Sequence, residues 1–203
     1  MVTIHGWSFN KSVWRSTEFD KFLHLELPGH GDSPFKETDL KKLALEIGET
    51  FSGGTVVGWS LGASVALLLA FYFPDKIDKL ILFSPTPLFC KVSQNPVVCK
   101  NFLRRLRRDY DKTVRWFRRE CGFNGDISMP EREKATTLLE NFMKFDIYNI
   151  LTAIKVPVSI YVGQNDKITT LNGAFEVFKY LPEATLKIYP EKEHYLFEEG
   201  LSL

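Results

Sequence analysis

The stretch Thr55-Val56-Val57-Gly58-Trp59-Ser60-Leu61-Gly62 joins a β-branched, apolar run to a helical run that continues to Tyr72, and it contains the pattern G-x-S-x-G. A serine at such a junction sits on a sharp strand-to-helix turn with its hydroxyl projecting from the end of a sheet. Glycines on either side suit that turn, because a Cβ at position 58 or 62 would crowd the neighbouring strands. The five letters equally describe a small-residue connection in any α/β domain. The reading therefore turns on whether the rest of the chain supplies a base, an acid and donors for a developing oxyanion.

Working outward, Val2-Thr3-Ile4 is a short strand ending at His5-Gly6-Trp7, and Phe22 to Leu27 is a second strand closed by Pro28-Gly29-His30-Gly31-Asp32-Ser33. Leu40, Leu43, Ile47 and Phe51 lie at the spacing of one helix face, with Asp39 near its start. Pro74 stops the helix that follows Ser60, and Lys79 to Phe83 reads as another buried strand. From Pro85 to about Thr152 the pattern is helical, aromatic and basic. Strand and helix signals resume with Val156 to Val162, Leu171 to Tyr180 and Thr185 to Tyr189, and a loop then carries His194. The expectation is an α/β fold: a mostly parallel sheet of about six strands with helices on both faces, right-handed crossovers and an inserted helical cap. Residues 1–84 and 153–203 form the core, and 85–152 form a cap of two to four helices.

The 203 residues suffice for one such core. With 44% hydrophobic and 25% charged residues, the composition is that of an ordinary globular protein. No apolar run reaches the length of a membrane span, and Met1 leads into a strand without a basic, apolar leader, so a cytoplasmic location is expected; the chain is also expected to be a monomer. Cys90, Cys99 and Cys121 have neither C-x-x-C nor Cys/His spacing, which argues against a disulfide framework and a zinc site. They read as small buried hydrophobes. No metal or cofactor is expected.

A serine hydroxyl needs a base within hydrogen-bond reach and a third group to hold that base in the right tautomer. On sheets of this kind the partners follow in the order serine, acid, histidine, on loops after later strands. Asp166 directly follows the strand at Val156 to Val162, and His194 directly follows the next strand. His5, His24 and His30 all precede Ser60, which leaves His194 as the base. Two backbone N–H groups must meet the oxyanion of the tetrahedral intermediate. Leu61, after the serine, supplies one, and Trp7, in the loop after the first strand, supplies the other.

Taken together, His5-Gly6-Trp7, Leu27-Pro28-Gly29-His30-Gly31-Asp32-Ser33, Gly58-Trp59-Ser60-Leu61-Gly62, Gly163-Gln164-Asn165-Asp166 and His194 resemble the α/β-hydrolase superfamily across nearly the whole chain. The pairing of H-G-W with G-W-S-L-G, and Thr113-Val114-Arg115-Trp116-Phe117 in the cap, is similar to the pimeloyl-[acyl-carrier protein] methyl ester esterases of biotin synthesis. The resemblance implies a triad of Ser60, Asp166 and His194, an oxyanion hole at Trp7 and Leu61, and an acyl channel lined by the side chains of Trp7 and Phe117, with Cys121 beside them. Members usually have a hairpin before the first of these strands and a helix after the histidine, so a less protected sheet edge is expected here. Glu26 stands where aspartate is commoner, a change outside the expected chemistry.

Charge gives separate support for such a partner. Lys91 to Arg119 contains ten basic and two acidic residues, a net +8 in a chain whose total is +1. At helical spacing Leu103, Leu106, Tyr110, Val114, Phe117 and Cys121 form one stripe, with Arg104, Arg108, Lys112, Arg115 and Arg119 roughly opposite. Acyl carrier proteins are acidic, and a basic face beside the pocket would steer and orient one. No nucleic-acid recognition motif accompanies the patch. A small-substrate carboxylesterase, an acyl-thioesterase and a catalytically silent binding protein of the same fold are the alternatives.

Overall fold

The computed structural model describes residues 1–197. Six strands form one fully parallel sheet in the order β2-β1-β3-β4-β5-β6, with β1 Val2–Ile4, β2 Leu23–Leu25, β3 Gly54–Trp59, β4 Ile77–Phe83, β5 Val158–Gly163 and β6 Ala184–Tyr189. Helix α1 (Leu40–Thr50) starts where the Asp39 carboxylate accepts the Lys41 and Lys42 amides, and α2 (Leu61–Tyr72) ends before Pro74. Helix α2 is apolar all round, and Leu61 to Ala70 are all buried. That makes it the central helix under the sheet.

The sheet's period of two separates the core into two layers. Val56, Leu80 and Leu82 join α1, α2 and α7 (Thr170–Tyr180) in one cluster, while Val57, Trp59, Ile81 and Phe83 meet Phe9, Trp14, Phe19 and Phe197 in the other. Helices were expected on both faces. The second face instead receives aromatic loop residues and the short 3-10 helix Lys11–Trp14 among the described residues. Aromatic side chains bury large surfaces, and among the described residues they fill most of this layer.

Between β4 and β5 the chain forms α3 Pro96–Arg108, α4 Tyr110–Glu120, α5 Arg132–Lys144 and α6 Tyr148–Leu151. Two local expectations need correction there. The basic stripe is not one helix: Asp109 leaves helical geometry at φ −145°, and its carboxylate caps α4 by accepting the Lys112 amide. Leu106, Tyr110 and Val114 are nevertheless buried in one cluster across that break, while Cys121 is buried in the other. The cysteines also differ. Cys90, in the turn Phe89–Ser93, is disulfide-bonded to Cys99 of α3, their Cα atoms 6.3 Å apart, because the turn folds back over the first turn of the helix. Only Cys121 is a free buried thiol, which burial pushes well above the ordinary range. Among the described residues no helix is long and apolar enough to cross a membrane.

Candidate active site

Ser60 lies between β3 and α2 at φ 57° and ψ −118°, a strained conformation for a residue with a side chain. Packing forces the turn. A Cβ on Gly58 would stand 2.6 Å from the Gly62 carbonyl oxygen, and one on Gly62 would run into the carbonyls of Ile4 and His5. The small residues that the motif demanded are thus required by backbone approaching backbone.

The loop after β1 closes on the serine. A Cβ on Gly6 would lie 3.3 Å from Ser60 Cβ and 3.2 Å from the Trp59 ring, so this loop and the serine are in direct packing. His5 Nδ1 donates to the Gly6 carbonyl at 2.8 Å, and the Phe9 amide approaches the same oxygen at 3.3 Å. In a trans peptide the N–H points opposite to the carbonyl, so both bonds fix the direction of the Trp7 N–H. Among the described hydrogen bonds that N–H has no partner, and the Leu61 N–H, first in α2, has none within the helix. Two donors and a helix N-terminus are thereby left for an anion near Ser60.

Three side chains that the sequence reading did not assign support this loop. His5 Nε2 accepts the Leu27 amide at 3.1 Å, and His30 Nε2 accepts the Ser8 amide at 3.0 Å. Arg118 of α4 is 5% exposed and donates to the carbonyls of Ser8, Ile127 and Ser128. Burial pushes His5 down to about 4; burial, then the neighbouring His5 and Arg118, push His30 down to about 3. Both rings are therefore neutral at pH 7, which leaves each Nε2 free to accept. The unfolded chain binds these protons near pH 6.5, so their contribution to stability is complete above that pH and is lost as pH falls through 6.5 towards 4 and then 3. Urea unfolding followed by tryptophan fluorescence should show the free energy falling over that window by up to about 2.7 kcal/mol per pH unit, the limit for two protons. A free energy that stays level from pH 6.5 to 4 would rule this linkage out.

Asp166 and His194 meet as their positions after β5 and β6 predicted. His194 Nδ1 donates to Asp166 Oδ2 at 2.8 Å with both side chains buried, and the Ile168 and Thr169 amides donate to Oδ1 at 2.8 and 3.1 Å. Burial alone would raise the Asp166 carboxyl; the charge and hydrogen bond of His194 outweigh it and hold the carboxyl below its ordinary value. Trp59, the residue before Ser60, holds His194: its Nε1 donates to the His194 carbonyl at 3.0 Å and its ring centroid is 5.3 Å from the imidazole. With Nδ1 engaged by the acid, Nε2 is the ring nitrogen left to take a proton.

Above Ser60 lies a cavity of about 220 Å³ whose walls include Trp7, Phe102, Trp116, Phe117, Phe142 and Met143. It is smaller than the ~300–1,000 Å³ usual for drug-sized ligands, a volume suited to a short acyl chain. Trp7 and Phe117 line it in edge contact, their ring centroids 5.1 Å apart. Cys121 does not line it. One turn past Phe117 it is fully buried in the other core layer, and its carbonyl accepts the Tyr195 amide at 2.7 Å, which anchors the loop of His194. Arg104, Arg108, Lys112, Arg115 and Arg119 are all exposed, and none is ion-paired among the described residues. Arg105 and Arg107 differ: one stacks on Trp116 at 4.4 Å and the other pairs with Glu140 at 2.7 Å. No group of three or more His, Cys, Asp or Glu among the described residues could hold a metal ion.

The chain is 27% identical to a pimeloyl-[acyl-carrier protein] methyl ester esterase of Nitrosomonas europaea, over 96% of this chain and 88% of that protein. It is 28% identical to one from Wigglesworthia glossinidia brevipalpis, over 83% and 75%. Among solved structures, a hydrolase from Oleispira antarctica superposes with a TM-score of 0.85 at 16% identity, covering 97% of this chain and 84% of the other. An esterase from Exiguobacterium antarcticum gives 0.82 at 17%, covering 97% and 86%. The sequence pattern of the alpha/beta hydrolase family matches residues 1–200, and the chain therefore belongs to that family.

Proposed function

We propose that this chain is a serine carboxylesterase that hydrolyses the methyl ester of pimeloyl-[acyl-carrier protein] in biotin synthesis. Ser60 Oγ attacks the ester carbonyl while His194 Nε2 takes its proton, and Asp166 holds the imidazole and stabilises the imidazolium. The oxyanion is met by the Trp7 and Leu61 amides, already oriented before the charge develops. His194 returns the proton to departing methanol, and water then attacks the acyl-enzyme with the same group as base. Trp7 and Phe117 hold the methylene chain, and residues 85–152 act as the cap over it.

The observation that carries the carrier-protein part is the set of five exposed cations on α3 and α4, unpaired among the described residues, on the helices that also supply Phe102, Trp116 and Phe117 to the cavity wall. An acidic carrier docked on that face would be held beside the pocket that takes its acyl chain. The relatives' names point to the same substrate. The test follows the methyl ester on carrier protein by mass spectrometry: loss of 14 mass units, the replacement of CH₃ by H, is expected, at a kcat/KM at least about tenfold above that for free dimethyl pimelate. Cleavage of the thioester instead, or equal use of both esters, would refute the assignment. Rescue of biotin-free growth in a strain without its own methyl ester esterase is the matching expectation in cells.

A further inference from the structure

We propose that Thr169 is a positioning residue for the Asp166–His194 pair, held in place from the cap by Ser93. The idea rests on the serine-hydrolase reading of the site. Thr169 Oγ1 lies 3.0 Å from Asp166 Oδ2 and 3.3 Å from His194 Nδ1, so its hydroxyl spans the hydrogen bond between acid and base. It donates to the carboxylate oxygen that receives the imidazole N–H, and its lone pairs face that same N–H. With the two backbone amides on Oδ1, the carboxylate has a partner on each side and cannot turn away from the ring.

The loop bearing Thr169 does not stand on β5 alone. Ser93 Oγ donates to the Thr169 carbonyl and lies 2.7 Å from Thr86 Oγ1. The Gln94 side-chain amide reaches the carbonyls of Lys167 and Ile168, each at 2.7 Å, and Asn172 reaches back to the Val92 carbonyl at 3.3 Å. The approach is close enough that a Cβ on Gly173 would come within 2.7 Å of Ser93 Oγ. Directly after Thr169, Thr170 has φ 62°, a left-handed conformation that a β-branched residue adopts only when its surroundings impose it. These observations describe one over-determined loop whose hydroxyl is aimed at the acid–base contact. The cap turn that holds it, Phe89–Ser93, is the one that the Cys90–Cys99 disulfide closes.

On a chromogenic short-chain ester, Thr169→Val is expected to lower kcat about tenfold with KM little changed and the protein still folded at the assay temperature, though with a lower thermal midpoint, the effect of losing one hydrogen bond to a charged group. Thr169→Ser keeps the hydroxyl and should recover most of the rate, while Ser93→Ala should cost about threefold in kcat. The proposal is overturned if Thr169→Val keeps the wild-type kcat, or if Thr169→Ser is as slow as Thr169→Val. Ser60→Ala measured alongside separates the two levels: if it cleaves the ester at the wild-type rate, the serine-hydrolase reading itself fails.

Discussion

Ser60→Ala should lower kcat for any ester that the enzyme accepts by about 10⁵- to 10⁶-fold, the loss typical of removing the nucleophile from a triad that works as a unit. The size of the effect follows from how little else Ser60 does. Its backbone geometry is imposed by Gly58, Gly62 and the carbonyls of Ile4 and His5, and alanine fills the same space at Cβ. The fold and the Trp7 and Leu61 amides proposed to meet the oxyanion should therefore survive, and a residual rate of about 10³- to 10⁴-fold over water is expected from them. His194→Ala should be about as damaging, and Ser60→Ala with His194→Ala together scarcely worse than either, because each needs the other. The measurement is kcat on a chromogenic ester, with a melting curve to confirm folding. A Ser60→Ala enzyme within tenfold of wild type would eliminate the acyl-enzyme mechanism.

The parts of the site that were legible in the sequence are those whose constraint is local. Gly58 and Gly62 exclude a Cβ within one turn, Asp39 caps the helix it precedes, and Asp166 and His194 follow strands that period and β-branching reveal. What stayed hidden depends on residues distant in the chain. His30 supports Ser8 across 22 residues, Arg118 reaches the same residue across 110, and Ser93 meets Thr169 across 76. Arg118 is instructive, because the sequence reading only counted it among the basic residues of Lys91 to Arg119, and the carbonyls of Ser8, Ile127 and Ser128 hold it buried. A charge among nine others carries no mark of the carbonyls waiting for it. Cys90 and Cys99 were missed for a related reason: their nine-residue separation matches no motif, and the turn that brings them together has no periodic signature.

Changing Arg104, Arg108, Arg115 and Arg119 to glutamate should lower kcat/KM on the carrier-linked methyl ester by about 10²- to 10³-fold at low salt, the range over which electrostatic steering operates. Activity on a small uncharged ester should change less than about twofold, since no triad or oxyanion group is touched. The four side chains are exposed and unpaired among the described residues, so reversal breaks no ion pair that holds the cap. It does place acids in the last turns of α3 and α4, where Arg108 and Arg119 now complement the helix dipoles. That costs about 0.3–1 kcal/mol for each site, and a glutamine set avoids most of it while still removing four positive charges. The glutamine set should show an intermediate loss on the carrier-linked ester. Salt supplies the sharper criterion: the wild-type rate on that ester should fall from 50 to 500 mM salt as charges more than a Debye length apart are screened, while the reversed variant should hold steady or gain. If both variants lose the same factor on carrier-linked and small esters, the basic face serves the cap's stability and not a carrier protein.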